Sequence, residues 1–370
     1  MYTQFLLPTF LSFTVSLALT PIIIHFAKKF GFVDDPKRKH PGILHKKTLP
    51  RAGGVPMFLA FLICALLFAE INKYLIAILA GSLINVLVGT LDDKYDFPPQ
   101  FRLFTQVVSA LCIVFVGVTI YMTNPFGEGL IYFDQWQFAV PGLKDSYLTL
   151  PSGLILVFWI VWVANMINWS KGASQLPGQA VIAFLTLAAV ALKYQAGNPA
   201  QIQTALLSFI LAGSVLAFLP FNFPPERMLP GFGASTFIGF NLAVLAVLSG
   251  GKMAAAILVL GIPAVDMVLT LTRRILSGKS ILYGDRKHFY HQLLNLGFSK
   301  RQVIFIYWLI TAVLGFLALN LGSEGKFFVL AIVAVLVTAA FLTLTLLLKN
   351  KKTGRRVISM TEMIFTRYPR

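Results

Sequence analysis

Apolar runs of about 20 residues, the length that crosses a hydrocarbon core about 30 Å thick, recur along the whole chain. Short stretches of Gly, Pro and charged residues separate them. The runs fall at 4–27, 54–71, 73–91, 103–121, 150–167, 178–195, 202–222, 234–250, 253–272, 303–321 and 326–348. This pattern predicts an all-α polytopic membrane protein of about eleven transmembrane helices. The first run, Phe5 to Ile24, has no basic residue before it and no small-residue cleavage site after it, so it reads as a retained helix and not a signal peptide. The long aromatic connection 122–149 reads as a hairpin lying at the membrane interface. No internal repeat is visible.

Charge sets the orientation. With the N-terminus outside, the segments 28–53, 92–102, 168–177, 223–233, 273–302 and 349–370 share one face and hold 26 of the 31 Lys and Arg residues. Lys73, Lys144, Lys193, Lys252 and Lys326 are left for the other. Positive residues stay on the cytoplasmic side of membrane proteins, which predicts an outer N-terminus and a cytoplasmic C-terminus. The chain then divides into one membrane domain, 1–348, and a basic cytoplasmic tail, 349–370. The same bias accounts for the net charge of +17 without nucleic acid as a partner. A content of 57% hydrophobic and 12% charged residues excludes an ordinary soluble fold. Cys64 and Cys112 sit in apolar runs and suggest neither a disulfide nor a metal site.

The polar constellations collect on the basic face. The first loop, FVDDPKRKHPGILHKKTLPRAGGVP, carries Arg51 and the pair Gly53 and Gly54 before a helix, where open backbone N–H groups can meet a phosphate. A positive-inside loop with turn residues would read the same way. At the end of the third run, GTLDDKYDFPPQFR packs Asp92, Asp93 and Asp96 together, and such carboxylates repel unless a cation sits among them. Hard oxygen ligands of this kind suit magnesium. The fifth run ends in WVANMINWSKGASQLPGQ, with Asn165 and Asn168 three apart at the mouth.

After the seventh run, FNFPPERMLPGFGASTFIGF sets Gly231, Gly233 and Ser235 at a helix start, either a phosphate cradle or a site of close helix packing. In RRILSGKSILYGDRKHFYHQLLNLGFSKRQ, Asp285, His288 and His291 recur at intervals of three on a short amphipathic helix, and the neighbouring Arg286 and Lys287 favour an anion over a metal. Asp266 lies about 10 Å above the end of the ninth run by helical rise. An acid at that depth needs a partner, and the loop cations or Asn168 are the candidates.

In order and placement these motifs resemble those of the polyprenyl-phosphate N-acetylhexosamine-1-phosphate transferases, glycosyltransferase family 4. The resemblance rests on VDDPKRKHPGILHKKTLPRAGGVPMF, GTLDDKYDFPPQFRLFTQ, NMINWSKG, FNFPP with GAST and FIGF, and GKSILYGDRKHFYHQLLNLGFSKRQ, and covers nearly the whole chain. It implies transfer of a sugar 1-phosphate from a UDP-sugar to polyprenyl phosphate, for cell-wall or surface-glycan synthesis at the bacterial inner membrane. It also implies an active site that faces the cytoplasm and Mg2+ as the cofactor. A homodimer is left open. Carried over by position, Asp92 and Asp93 match the family's paired aspartates, Asn168 the asparagine of its fifth-helix motif, and His288 and His291 two of its three histidines.

The implied assignment is Asp92, Asp93 and Lys171 as catalytic residues, with Asp92, Asp93 and Asn168 as metal ligands. Arg51, Asn165, Asn168, Gly231, Gly233, Ser235, Asp285, Arg286, His288 and His291 then bind substrate. Four positions depart from the family pattern: Lys171, Ser174 and Phe232 stand where it has aspartates, and Tyr290 where it has histidine. A member that binds its ligands without turnover is the alternative, and a lipid-linked-sugar transporter the third class.

Overall fold

The computed structural model describes residues 3–37, 45, 47–123, 130–139, 147–249, 253–280 and 288–365. Its helices are α1 (Thr3–Lys29), α2 (Gly54–Phe68), α3 (Lys73–Tyr95), α4 (Pro99–Phe115), α5 (Ser152–Trp169), α6 (Leu176–Tyr194), α7 (Gln201–Leu216) and the short α8 (Leu219–Asn222). The second half holds α9 (Gly231–Leu248), α10 (Met253–Val259), α11 (Gly261–Leu276), α12 (Phe289–Leu296), α13 (Lys300–Asn320) and α14 (Ser323–Phe365). Each apolar run of the sequence lies on one or two of these helices. By length and hydropathy, eight stretches among the described residues can cross a membrane, and the bent pair α10 and α11 makes a ninth. Helices α2 and α4 are apolar but shorter. The protein is an all-α polytopic membrane protein.

Two departures from the sequence reading have local causes. The run 253–272 is not one straight helix: α10 and α11 meet at 84°. Pro263 lies four residues after Val259, the last residue of α10, so its ring would clash with that carbonyl in a continuous helix. In the last loop, the short helix begins at Phe289, which leaves His288 at its N-cap and Asp285 outside the described residues. Strands are few. The antiparallel pair β1 (Val33–Asp34) and β2 (Leu49–Pro50) ties down the ends of the first loop. Among the described residues of 121–150 there are two antiparallel strand pairs, β3 (Tyr121–Thr123) with β4 (Leu130–Tyr132) and β5 (Trp136–Ala139) with β6 (Tyr147–Leu150).

Helix α9 is apolar all round and 94% buried, the signature of a central helix. The most apolar stretch of α14 is 6% buried and forms the rim. In lipid, apolar surface gives no hydrophobic drive for helices to associate, so close approach and interhelical hydrogen bonds do more. A Cβ on Gly89 of α3 would lie 2.2 Å from the Gly233 Cα of α9, so only glycine permits that crossing. Asn241 Nδ2 donates to Ser82 Oγ at 2.9 Å across the same pair. The Ser12 and Ser16 hydroxyls of α1 each donate to an α7 carbonyl at 2.8 Å. These contacts bring the end of α3 and the start of α9 together at one end of the bundle.

Candidate active site

Asp92 and Asp93 are consecutive on α3, so their side chains leave the helix about 100° apart and meet different neighbours. Asp92 faces α4: its Oδ1 accepts from Arg102 Nε at 2.6 Å and from the Phe97 N–H at 3.1 Å. Arg102 Nη2 also donates to Asp96 at 2.5 Å. The cation that the acidic cluster demands is therefore a guanidinium of the chain itself. Its signal in the sequence is an arginine placed one turn into the helix that Pro98 and Pro99 start.

Asp93 faces α9. Its Oδ1 accepts from the Phe232 N–H at 2.9 Å and pairs with Arg51 Nη1 at 3.6 Å. The N-terminus of α9, read from sequence as a phosphate cradle, thus has this N–H engaged by a carboxylate, which the helix dipole favours there. Asp93 Oδ2 is buried and has no hydrogen-bond partner among the described residues. The other arm of Arg51 donates to Asp34 Oδ2 at 2.8 Å, and His45 Nε2 lies 3.2 Å from the same oxygen. Arg51 is held between two carboxylates from opposite sides.

Lys171 follows α5 in a turn that reaches the same place. An ammonium has three donors, and this one finds Asn168 Oδ1 at 2.7 Å, the Gly231 carbonyl at 3.0 Å and Ser235 Oγ at 3.4 Å. Ser235 Oγ in turn donates to Asn168 Oδ1 at 2.9 Å. The residue is only partly buried, but its charged end is surrounded by protein. Burial pushes the ammonium down to about 8, with Asp93 opposing that shift and Arg51 adding to it. The Phe232 ring lies 5.4 Å from the Arg102 guanidinium and 5.9 Å from Lys171 Nζ, a cation–π contact to each.

The structure therefore brings Arg51, Asp92, Asp93, Asn168, Lys171, Gly231 and Ser235 into one cluster. Others lie elsewhere. Asn165 turns to α4 and donates to Gln106 Oε1 at 2.6 Å. Gly233 sits in the crossing of α3 and α9, so the packing reading describes its surroundings. Asp285 and Arg286 lie outside the described residues. His288 stands beside the cluster, its ring 5.7 Å from that of Trp169, the neighbour of Asn168. His291 is buried with its ring 4.2 Å from that of Tyr290. Among the described residues, Asp266 is paired with His288 and not with a loop cation or Asn168.

Ser174, two residues beyond Gly172, bonds Glu226 at 3.1 Å, and Lys300 Nζ donates to the same oxygen at 2.7 Å. Burial is the largest single influence on the Glu226 carboxyl and would raise it, yet the hydrogen bonds from Lys300, the backbone and Ser174 and the Lys300 charge together hold the group below the usual range. These partners are 52 and 74 residues from Glu226 and no spacing in the sequence links them.

As a ligand set for magnesium the cluster offers little. Among the described residues no three His, Cys, Asp or Glu side chains converge as metal ligands. Asn168 Oδ1 is engaged by Lys171 and Ser235, and Asp92 Oδ1 by Arg102. Magnesium is commonly held through one or two carboxylates with substrate phosphates completing its shell. The unpartnered Asp93 Oδ2 suits that mode.

Gly231 closes the site geometrically. Its φ is +74°, and a Cβ there would lie 2.0 Å from Asp93 Oδ2. Gly231→Ala is expected to lower the melting temperature more than Gly297→Ala does. Gly297 also has a positive φ but nothing within 4 Å, so it carries only the backbone cost of about 1–2 kcal/mol. Equal shifts would show that Asp93 moves aside freely.

The family model described as glycosyl transferase family 4 matches residues 75–250. A probable undecaprenyl-phosphate N-acetylglucosaminyl 1-phosphate transferase of Bacillus subtilis is 29% identical over 87% of this chain and 86% of its own length. The decaprenyl-phosphate N-acetylglucosaminephosphotransferase of Mycobacterium leprae is 24% identical over 74% of this chain and 73% of its own. The phospho-N-acetylmuramoyl-pentapeptide-transferase of Bacillus subtilis is 27% identical over 85% of this chain and 98% of its own.

Proposed function

We propose that this chain, which belongs to glycosyl transferase family 4, transfers N-acetylhexosamine 1-phosphate from a UDP-sugar to polyprenyl phosphate in the cell membrane of a bacterium, with the site on the cytoplasmic side. The observation that carries the proposal is the cluster of Arg51, Asp93, Asn168 and Lys171 at the meeting of α3, α5 and α9. All but Arg51 fall inside the stretch that the family model matches.

In the reaction an oxygen of polyprenyl phosphate attacks the β-phosphorus of the UDP-sugar. The bond from that phosphorus to the bridging oxygen breaks, and UMP leaves with the electron pair. Phosphoryl transfer asks a protein mainly for positioning and for neutralisation of charge on the phosphate oxygens. Lys171, Arg51 and Arg102 supply three cations at the site. Asp93 holds Arg51 and the start of α9, so it fixes where those cations stand. Asp92 does the same for Arg102. Magnesium would be held through Asp93 and the substrate phosphates, adding charge neutralisation when bound.

Because Lys171 and two guanidiniums stand where this reading places the phosphates, magnesium dependence should be weak. Purified protein in detergent, given UDP-N-acetylglucosamine and polyprenyl phosphate, is expected to release UMP, and chelation should slow it about tenfold or less. A rate that collapses to background with chelator would assign the charge to the metal. Nucleotide binding with no UMP release from any UDP-sugar would mark a member that binds without turnover.

A further inference from the structure

Asp266 is a carboxylate inside α11, and the transfer step above makes no use of it. Its two oxygens are both committed. Oδ2 lies 2.9 Å from His288 Nδ1, and Oδ1 accepts the Phe289 N–H at 2.9 Å. Asp266 is 4% exposed and His288 6%, so this pair sits out of bulk water. An ionised carboxylate only accepts hydrogen bonds. Nδ1 must therefore carry a proton, which leaves Nε2 as the working face of the ring. None of the described residues hydrogen-bonds Nε2.

The ring's attitude is fixed as well. Tyr290 stacks parallel to it, 4° between planes at 6.1 Å, and Trp169 packs against it from α5 at 5.7 Å. Both contacts lead to the cluster. Trp169 adjoins Asn168, which accepts from Lys171. Tyr290 lies so close to Gly172 that a Cβ there would come 2.1 Å from its hydroxyl. The 84° bend after α10 sets the course of α11, the helix that carries Asp266 to this loop.

We infer that Asp266 is a positioning residue, which acts by setting the tautomer and aim of His288 so that the bare Nε2 accepts a hydrogen bond from a hydroxyl or N–H donor of the sugar nucleotide. The inference rests on the transferase reading above. A purely architectural role is the competing account, since Asp266 also caps α12 through the Phe289 N–H and so docks the last loop onto the bundle.

Asp266→Asn separates the two. An asparagine can still accept the Phe289 N–H with its oxygen, but its amide nitrogen then faces Nδ1 and drives the imidazole proton to Nε2. The docking survives and the tautomer reverses. The experiment compares the parent with Asp266→Asn, His288→Gln and the double variant, all as full chains in detergent. It reads UMP release, UDP-N-acetylglucosamine affinity by calorimetry, melting temperature, and the imidazole tautomer by nitrogen-15 magnetic resonance on histidine-labelled protein.

For Asp266→Asn we expect a reversed tautomer, a melting temperature within about 2 °C of the parent, and kcat lower by roughly 10–100-fold, the size of effect that orienting partners commonly have. In the His288→Gln background the same change should add nothing, because both changes remove one function. Parental kcat in Asp266→Asn, or a full additional loss in the double variant, would overturn the inference. Should Asp266→Asn not fold, the parent's His288 signal decides, and an Nε2–H neutral tautomer there overturns it. A parent that releases no UMP defeats the transferase reading alone. The tautomer and the nucleotide affinity of Asp266→Asn, expected to fall by about tenfold or more, then decide the Asp266 role separately.

Discussion

Asp93→Ala is expected to lower UMP release by roughly a thousandfold, the upper end of what removing one preorganised electrostatic group costs. The carboxylate faces Arg51 at 3.6 Å, receives the Phe232 N–H at 2.9 Å, and has its second oxygen buried against Gly231. An alanine leaves Arg51 with Asp34 alone and Lys171 without its largest favourable charge. Breaking a buried ion pair by deleting one partner costs about 3–5 kcal/mol, so a fall in melting temperature should accompany the loss of rate. Asp93→Asn keeps an acceptor for the Phe232 N–H and removes only the charge. If Asp93→Asn is as slow as Asp93→Ala while melting near the parent, the charge matters for the chemistry. If Asp93→Asn runs at the parent's rate, Asp93 is only a helix cap.

Each apolar run falls on one or two helices of the structure, because lipid imposes a length and a composition that sequence displays directly. Eight or nine of the described stretches, and not eleven, are long enough to cross a membrane. Helix ends are less legible: α4 starts at Pro99 where the apolar run starts at 103, and the run 253–272 passes straight through Pro263, the third residue of α11. The partners were not legible. Asp92 and Asp96 share a face, as their spacing requires, but nothing periodic says that Arg102 folds back between them.

Gly231 and Gly233 are two residues apart and looked alike. One supplies a carbonyl to Lys171 and the other a crossing point for α3. Asp266 was legible as an acid too deep to stand alone, yet its partner lies 22 residues on, beyond the end of its own helix. Local patterns report which groups need partners. Tertiary packing decides which partners they get.

Lys171→Ala is expected to lower turnover by about 100- to 1000-fold if its ammonium neutralises charge on the diphosphate. The sign of the pH dependence follows from burial, which lowers the ammonium to about 8 from an ordinary 10.5. Below that value the lysine is charged and turnover should hold. As pH rises through about 8 the charge is lost in the folded protein and turnover should fall.

Lys171→Arg keeps its charge at any such pH, so whatever activity it retains should not fall in that range. Lys171→Asp places a third carboxylate beside Asp92 and Asp93 and restores the residue found there in the family pattern. It should either abolish turnover or convert it to a reaction that chelation stops. The two outcomes separate cleanly in an assay run with magnesium and with chelator. A Lys171→Ala protein as fast as the parent, with an unchanged pH profile, would show that the lysine only carries its stem along apolar surface and its charge to the interface. The bond to the Gly231 carbonyl would then be a cap on the turn and not part of the chemistry.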